Sequence, residues 1–163
     1  AGYFLGKGWR RLAIATGDDE RAMQRRAGFL AAVGREVPTA VVPAPSNLAA
    51  GRRALAELLS HDPKIRAVYC SSDGLAQGVM VEAQARGLRI PQDLAICGFG
   101  DAEFAAHLWP SLTTVQVDGE AIGRLAACMI LDRCAGRAID SPVVDLGFRI
   151  IERESTGGPA PQG

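Results

Sequence analysis

RAVYCSSDGLAQGVMVEAQARGLRIPQDLAICGFGD, residues 66–101, reads as a strand, a turn, a helix, a second strand and a second turn. Ala67 to Cys70 is a short apolar run without polar alternation, which suits a strand covered on both faces. Ser71, Ser72 and Asp73 supply helix N-cap chemistry. Leu75, Val79, Val81 and Ala83 carry a helix, Gly87 can end it in the left-handed region, and Pro91 prevents its resumption. Leu94 to Phe99 is the second apolar run, closing on Gly98-Phe99-Gly100-Asp101. In doubly wound folds ligands bind outside the carboxyl ends of such strands. Ser-Ser-Asp and Gly-Phe-Gly-Asp are therefore the first candidate site segments.

Outward from this unit the pattern continues. Gly2 to Lys7 reads as a last helical turn stopped by Gly8. Leu12 to Thr16 is a strand, and Glu20 to Gly34 a helix with Met23, Ala27, Leu30 and Ala31 on one apolar stripe. Ala40 to Val42 is a short strand, followed by a turn in which Ser46 or Asn47 can cap the helix Leu48 to His61. That helix turns Leu55, Leu58 and Leu59 inward. Ala102 to Leu108 is a short helix or loop, and Thr113 to Val117 a strand. Asp118 caps a long helix to about Cys134 that should turn Ile122, Leu125, Ala126, Met129 and Ile130 inward. Val143 to Ile151 is the last strand, and from Ser155 a Gly/Pro-rich tail is expected to be mobile. Strands alternating with helices over short connections predict an α/β, doubly wound parallel sheet.

Composition narrows the function classes. The 18 basic and 18 acidic residues cancel, which leaves no electrostatic footprint for nucleic acid. No apolar run approaches the roughly 18–20 residues of a membrane span, so no membrane partner is expected. Cys70, Cys97, Cys128 and Cys134 form no CxxC pair, and His61 and His107 stand alone, so no metal is expected. Cys70 and Cys97 read as reduced, buried small hydrophobes. The chain has no phosphate loop, no third glycine after Gly98-Phe99-Gly100, no G-x-S-x-G elbow and no pair of acids suited to catalysis. No cofactor and no enzymatic activity are expected.

Arg25 and Arg26 follow a Gly-Asp-Asp-Glu turn. They are either solvated helix residues paired with Glu20 or Asp19, or one of them points across the strand ends. An arginine fork there would bind a pair of ligand oxygens. Ser72, Asp73 and Asp101 are each either caps or polar cleft residues. Trp109-Pro110 is a loop aromatic, suited to local packing or to a subunit interface.

Several segments in order carry a resemblance: Gly8-Trp9-Arg10-Arg11-Leu12-Ala13, Arg25-Arg26-Ala27-Gly28-Phe29, Ser71-Ser72-Asp73, Gly87 to Asp101, Pro110-Ser111-Leu112-Thr113-Thr114-Val115 and Arg153-Glu154-Ser155-Thr156. With these, nearly the whole chain resembles the effector-binding domain of the lactose/galactose repressor family of bacterial transcription regulators. Gly-Phe-Gly-Asp and Val144-Asp145-Leu146-Gly147-Phe148 look most like the gluconate-utilisation repressors in that family.

The resemblance implies a periplasmic-binding-protein-like (type I) fold in two lobes, in a cytoplasmic homodimer that contacts operator DNA only through an N-terminal helix-turn-helix. On this reading residues 1–112 are the second lobe, and 113–137 are a strand and helix of the first. Residues 138–152 are a strand returning to the second lobe, and 153–163 a flexible tail. The DNA-binding domain and most of the first lobe would lie outside this chain. By position, the resemblance implies effector contacts from Arg25, Ser72, Asp73, Gly100, Asp101 and Ser46, and a dimer interface through Gln77, Leu108 and Trp109. Ser72, Gly100 and Ser46 stand where many members have Asn, Asp and an aromatic. Losing an acid while keeping the arginine favours an anionic effector, a sugar acid such as gluconate, over a neutral sugar. The alternative on the same fold is a periplasmic sugar-binding protein, which a signal peptide in place of the helix-turn-helix would reveal. The apolar stripe of the helix after Asp118 is expected to pack on a second copy or to fold back onto this lobe.

Overall fold

The computed structural model describes residues 1–139 and 141–157. Five parallel strands and one antiparallel strand form a single sheet in the order β2-β1-β3-β4-β5-β6. The strands are β1 Leu12–Gly17, β2 Thr39–Val42, β3 Ala67–Cys70, β4 Ala95–Phe99, β5 Thr113–Gln116 and β6 Arg149–Ile151. The helices are α1 Gly2–Gly6, α2 Glu20–Val33, α3 Leu48–His61, α4 Asp73–Ala85 and α5 Gly119–Cys134. Short 3-10 turns occupy Glu103–Ala106 and Glu154–Thr156.

Alternation along each strand divides the core in two. Ala13, Ala15, Val68, Cys70 and Ile96 face α3 and α4, where Leu55, Leu58, Leu75 and Val79 complete a buried cluster. Leu12, Ile14, Ala67, Tyr69 and Cys97 face the other way, onto Phe4, Trp9 and Phe29. Every residue of β1 and β3 is buried, as continuous apolar runs covered by helices on both faces require. Burial raises the Cys70 thiol pKa well above its ordinary value and pushes that of Cys97 up to about 12, whereas Cys128 and Cys134 are exposed.

Helices α3 and α4 meet at two glycines. A Cβ on Gly51 would lie 2.2 Å from the Leu75 carbonyl oxygen, and one on Gly78 would lie 2.0 Å from that of Leu48. Absence of side chains is thus what lets the two backbones touch. Asn47 caps α3 by accepting from the Ala50 N–H, and Leu59 packs partly buried at the edge of the core.

Four expectations need correction. The inner face of α2 carries Ala22 and Phe29, while Met23 is exposed, as are Ala27 and Ala31. Phe29 decides that face by stacking on Tyr69 at 5.3 Å between centroids and 5° between planes. The last strand is only three residues long, because β6 is an edge strand that pairs with β5 alone, and Val143 and Phe148 are exposed. No residue of α5 is buried, so its apolar stripe does not fold back onto this lobe.

The fourth correction is the tail, which is docked through residue 157, with 158–163 outside the described residues. Ser155 and Thr156 are fully buried. The Ser155 hydroxyl donates to the Ile96 carbonyl at 2.6 Å and accepts from the Thr113 N–H at 2.8 Å. The Thr156 hydroxyl bonds those of Thr113 and Tyr3. Within the sheet, β5 lies between β4 and β6.

The glycine contact yields a paired test. Gly78→Ala is expected to destabilise the chain by about 3 kcal/mol in urea unfolding, because backbone must move to admit the methyl group. Gly28→Ala on α2, where nothing lies within 4 Å, is expected to leave stability unchanged or raise it.

Candidate functional site

The carboxyl ends of the parallel strands form one edge, tied together by hydrogen bonds. The Ser71 hydroxyl accepts from the Gly17 N–H at 3.1 Å, joining the ends of β3 and β1. Asp18 accepts from the Ala44 N–H at 3.1 Å, joining the ends of β1 and β2. Ser46 is half-buried beside Gly17, where an added Cβ would lie 2.5 Å from its hydroxyl oxygen. Ser72 caps α4 by accepting from the Leu75 N–H at 3.3 Å.

Arg25 reaches this edge from α2. Its guanidinium donates to the Ser71 carbonyl at 3.1 Å and lies over the Phe99 ring, with Cζ 3.8 Å from the centroid. That disposition is the cross-strand alternative, not the surface pair with Glu20 or Asp19. Among the described residues, its remaining N–H groups have no hydrogen-bond partner. A groove of about 530 Å³ runs under it between α1, α2 and the sheet, lined by Tyr3, Phe29, Tyr69, Phe99 and Phe148. Burial raises the Tyr69 phenol pKa, with Arg25 opposing the shift, so Tyr69 is neutral at pH 7 and Arg25 supplies the charge at this corner.

Two of the expected contact residues are engaged inside the protein. Asp73 is 3% exposed; one carboxylate oxygen accepts from the Ala102 N–H at 2.8 Å and the other from the Thr114 hydroxyl at 2.6 Å. An added Cβ on Gly98 would lie 2.1 Å from that carboxylate. Gly100, at φ 131, is exposed and brings no side chain to the edge. Asp101 has φ 53 and pairs with Arg153 at 2.7 Å, while its second oxygen accepts from the Gln116 side-chain amide at 2.5 Å. Gln116 in turn accepts from Arg149.

The edge thus gathers Arg25, Ser72 and Ser46 as candidates, with Asp73 and Asp101 behind them as ties. Ser71 and Phe99 lay within the candidate segments but were given no role of their own, and sequence reasoning gave no site role to Thr114, Gln116 or Arg153. Phe99 lay within a quoted motif, and its single aromatic ring between two glycines was the available signal. The expected interface residues lie along α4 and the loop beyond the first 3-10 turn. Trp109 is 81% exposed, Leu108 packs partly against the core, and Gln77 is half-buried. Gln84, two turns on from Gln77, donates to the Trp109 carbonyl at 2.6 Å. Among the described residues there is no cluster of potential metal ligands, and no helix is long and apolar enough to cross a membrane.

Comparison with known proteins agrees with this architecture. The family model for the periplasmic binding protein-like domain matches residues 1–156. The chain is 36% identical to the HTH-type transcriptional regulator GntR of Pseudomonas aeruginosa, over 96% of this chain and 47% of that protein. It is 31% identical to the HTH-type transcriptional repressor PurR of Escherichia coli O1:K1, over 96% of this chain and 48% of that protein. The crystal structure of the transcription regulator GntR from Chromobacterium violaceum superposes with a TM-score of 0.91 at 35% identity, covering 96% of this chain and 60% of that one. The chain spans about half the length of the curated relatives it matches.

If Asp73 is a tie, its removal is a stability defect. Asp73→Ala is expected to cost about 3 kcal/mol in chemical denaturation, since it strands a part-buried N–H and a buried hydroxyl. Ser72→Ala, which removes only a cap, is expected to cost about 1 kcal/mol. Equal, small losses in both variants would contradict the internal role of Asp73.

Proposed function

The chain belongs to the periplasmic binding protein-like domain family, and on that premise we propose that it is the ligand-sensing part of a cytoplasmic, DNA-binding bacterial transcriptional repressor. Its effector is a small sugar acid, with gluconate the first candidate. The observation that carries the reading is Arg25: a guanidinium fixed at the strand ends with donors still free, on an edge where Gly100 offers no opposing carboxylate. A planar fork of this kind pairs with a carboxylate in bidentate fashion, and α4 adds the positive end of its dipole beyond Ser72. Ser72 and Ser46 supply hydroxyls for the polyol part. Operator DNA is bound by a separate N-terminal domain, in keeping with the neutral charge balance here.

The work of such a protein is a switch, not catalysis. The effector sits between this edge and a facing lobe, and it shifts their angle by binding one arrangement more tightly than the other. The exposed indole of Trp109, continued by Gln84 and Gln77 along α4, is the surface we assign to the homodimer contact.

Titration calorimetry on the full-length protein tests the effector class. D-gluconate is expected to bind and D-glucose to bind far more weakly. Arg25→Ala should lose the effector response while retaining operator affinity in a fluorescence anisotropy assay. An Arg25→Ala protein that still responds to gluconate would remove Arg25 from the site.

A further inference from the structure

An arginine on a helix surface has many rotamers, and a single hydrogen bond leaves it free to swing about that bond. Arg25 is held by two contacts of different kinds. The Ser71 carbonyl fixes the position of one nitrogen. Phe99 covers one side of it: Cζ stands over the ring, 3.8 Å from the centroid, a separation suited to a guanidinium stacked face to face on the ring. A bidentate carboxylate lies in the plane of the guanidinium, so whatever sets that plane sets the line of approach of the ligand.

The ring itself is well anchored. Phe99 ends β4 in register with Val115 of β5, and the next N–H, of Gly100, donates to the Val115 carbonyl at 2.8 Å. One helical turn beyond Arg25, Phe29 stacks on Tyr69. Residues four apart on α2 therefore rest on rings from adjacent strands β3 and β4, and the lower pair seats the helix from which the upper pair extends. The flanking Gly98 and Gly100 bring no side chain to compete for the guanidinium.

We propose that Phe99 is a positioning residue of the effector site: its ring holds the Arg25 guanidinium in the plane that accepts a carboxylate, and so favours acidic over neutral ligands. The proposal rests on the sugar-acid reading above but has a readout independent of it. In the full-length, ligand-free protein, the Nε–H resonance of Arg25, identified by its loss in Arg25→Lys, is expected to carry an upfield ring-current shift. Phe99→Tyr should preserve that shift and Phe99→Met, which keeps an apolar side chain, should abolish it. In calorimetry, Phe99→Met should weaken D-gluconate binding about tenfold, leave the weak response to D-glucose unchanged, and be rescued by Phe99→Tyr. An Arg25 resonance without a ring-current shift, or unchanged by Phe99→Met, overturns the proposal. So does wild-type gluconate affinity in Phe99→Met once that shift is gone. If the wild-type protein ignores gluconate, the sugar-acid reading fails, and the resonance alone decides whether Phe99 positions Arg25.

Discussion

A buried carboxylate holds the binding edge in shape. Asp73 stands at the first turn of α4, and its two oxygens reach the Ala102 N–H beyond β4 and the Thr114 hydroxyl of β5. One side chain thus joins a helix start, the β4 loop and the neighbouring strand. Burying a charge is costly unless hydrogen bonds answer it, and here two short ones do. The arrangement needs room, and that room explains Gly98, since a Cβ there would overlap the carboxylate. Gly98-Phe99-Gly100-Asp101 is therefore shaped from below by Asp73 as much as from above by any ligand.

The next residue carries the constraint outward. Asp101 adopts a left-handed backbone that few non-glycine residues take, held by Arg153 on one oxygen and Gln116 on the other. Arg153 also donates to the Leu112 carbonyl at 2.8 Å, and the Ser155-Thr156 turn that follows is sealed into the core by hydroxyl groups. A segment that looks like a polar tail in composition is in this way a structural plug. Its hydroxyls are buried because each meets a backbone or hydroxyl partner, a condition that composition cannot reveal.

The strands and helices on both sides of the central stretch were legible because their signals are local. Asn47, Ser72 and Asp118 cap helices where their sequence positions indicate, and β3 is the four-residue apolar run itself. The α2 face was not legible, for a physical reason. Periodicity counts arginine as polar and assigns it outward, whereas the guanidinium of Arg25 covers an aromatic ring while one of its nitrogens meets a carbonyl. Counting Met23 and Ala27 instead rotates the helix away from its real contact at Phe29. The same amphipathic character hides the candidate site: Arg25 was visible as a residue type, but its ring partner lies 74 residues further on in the sequence. Asp73 and Asp101 were visible as acids at strand ends, yet whether an acid at such a place faces ligand or protein depends on partners that only the fold brings near.

Helix α5 shows where the stability of the described residues stops. It has a cap in Asp118 and an ion pair between Glu120 and Arg124, but no buried residue. A sixteen-residue helix with only such local support is marginal in water. Ile122, Ile130 and Leu131 are exposed apolar side chains that bring it nothing while they face solvent. The sheet and its binding edge do not lean on α5, yet they are joined to it by β5 on the way out and β6 on the way back. Those strands meet at the Gln116–Arg149 contact, and Gln116 is one of the two residues that hold Asp101. Gln116 thus stands between the way out to α5 and the β4 loop, with Arg149 on its amide oxygen and Asp101 on its amide nitrogen.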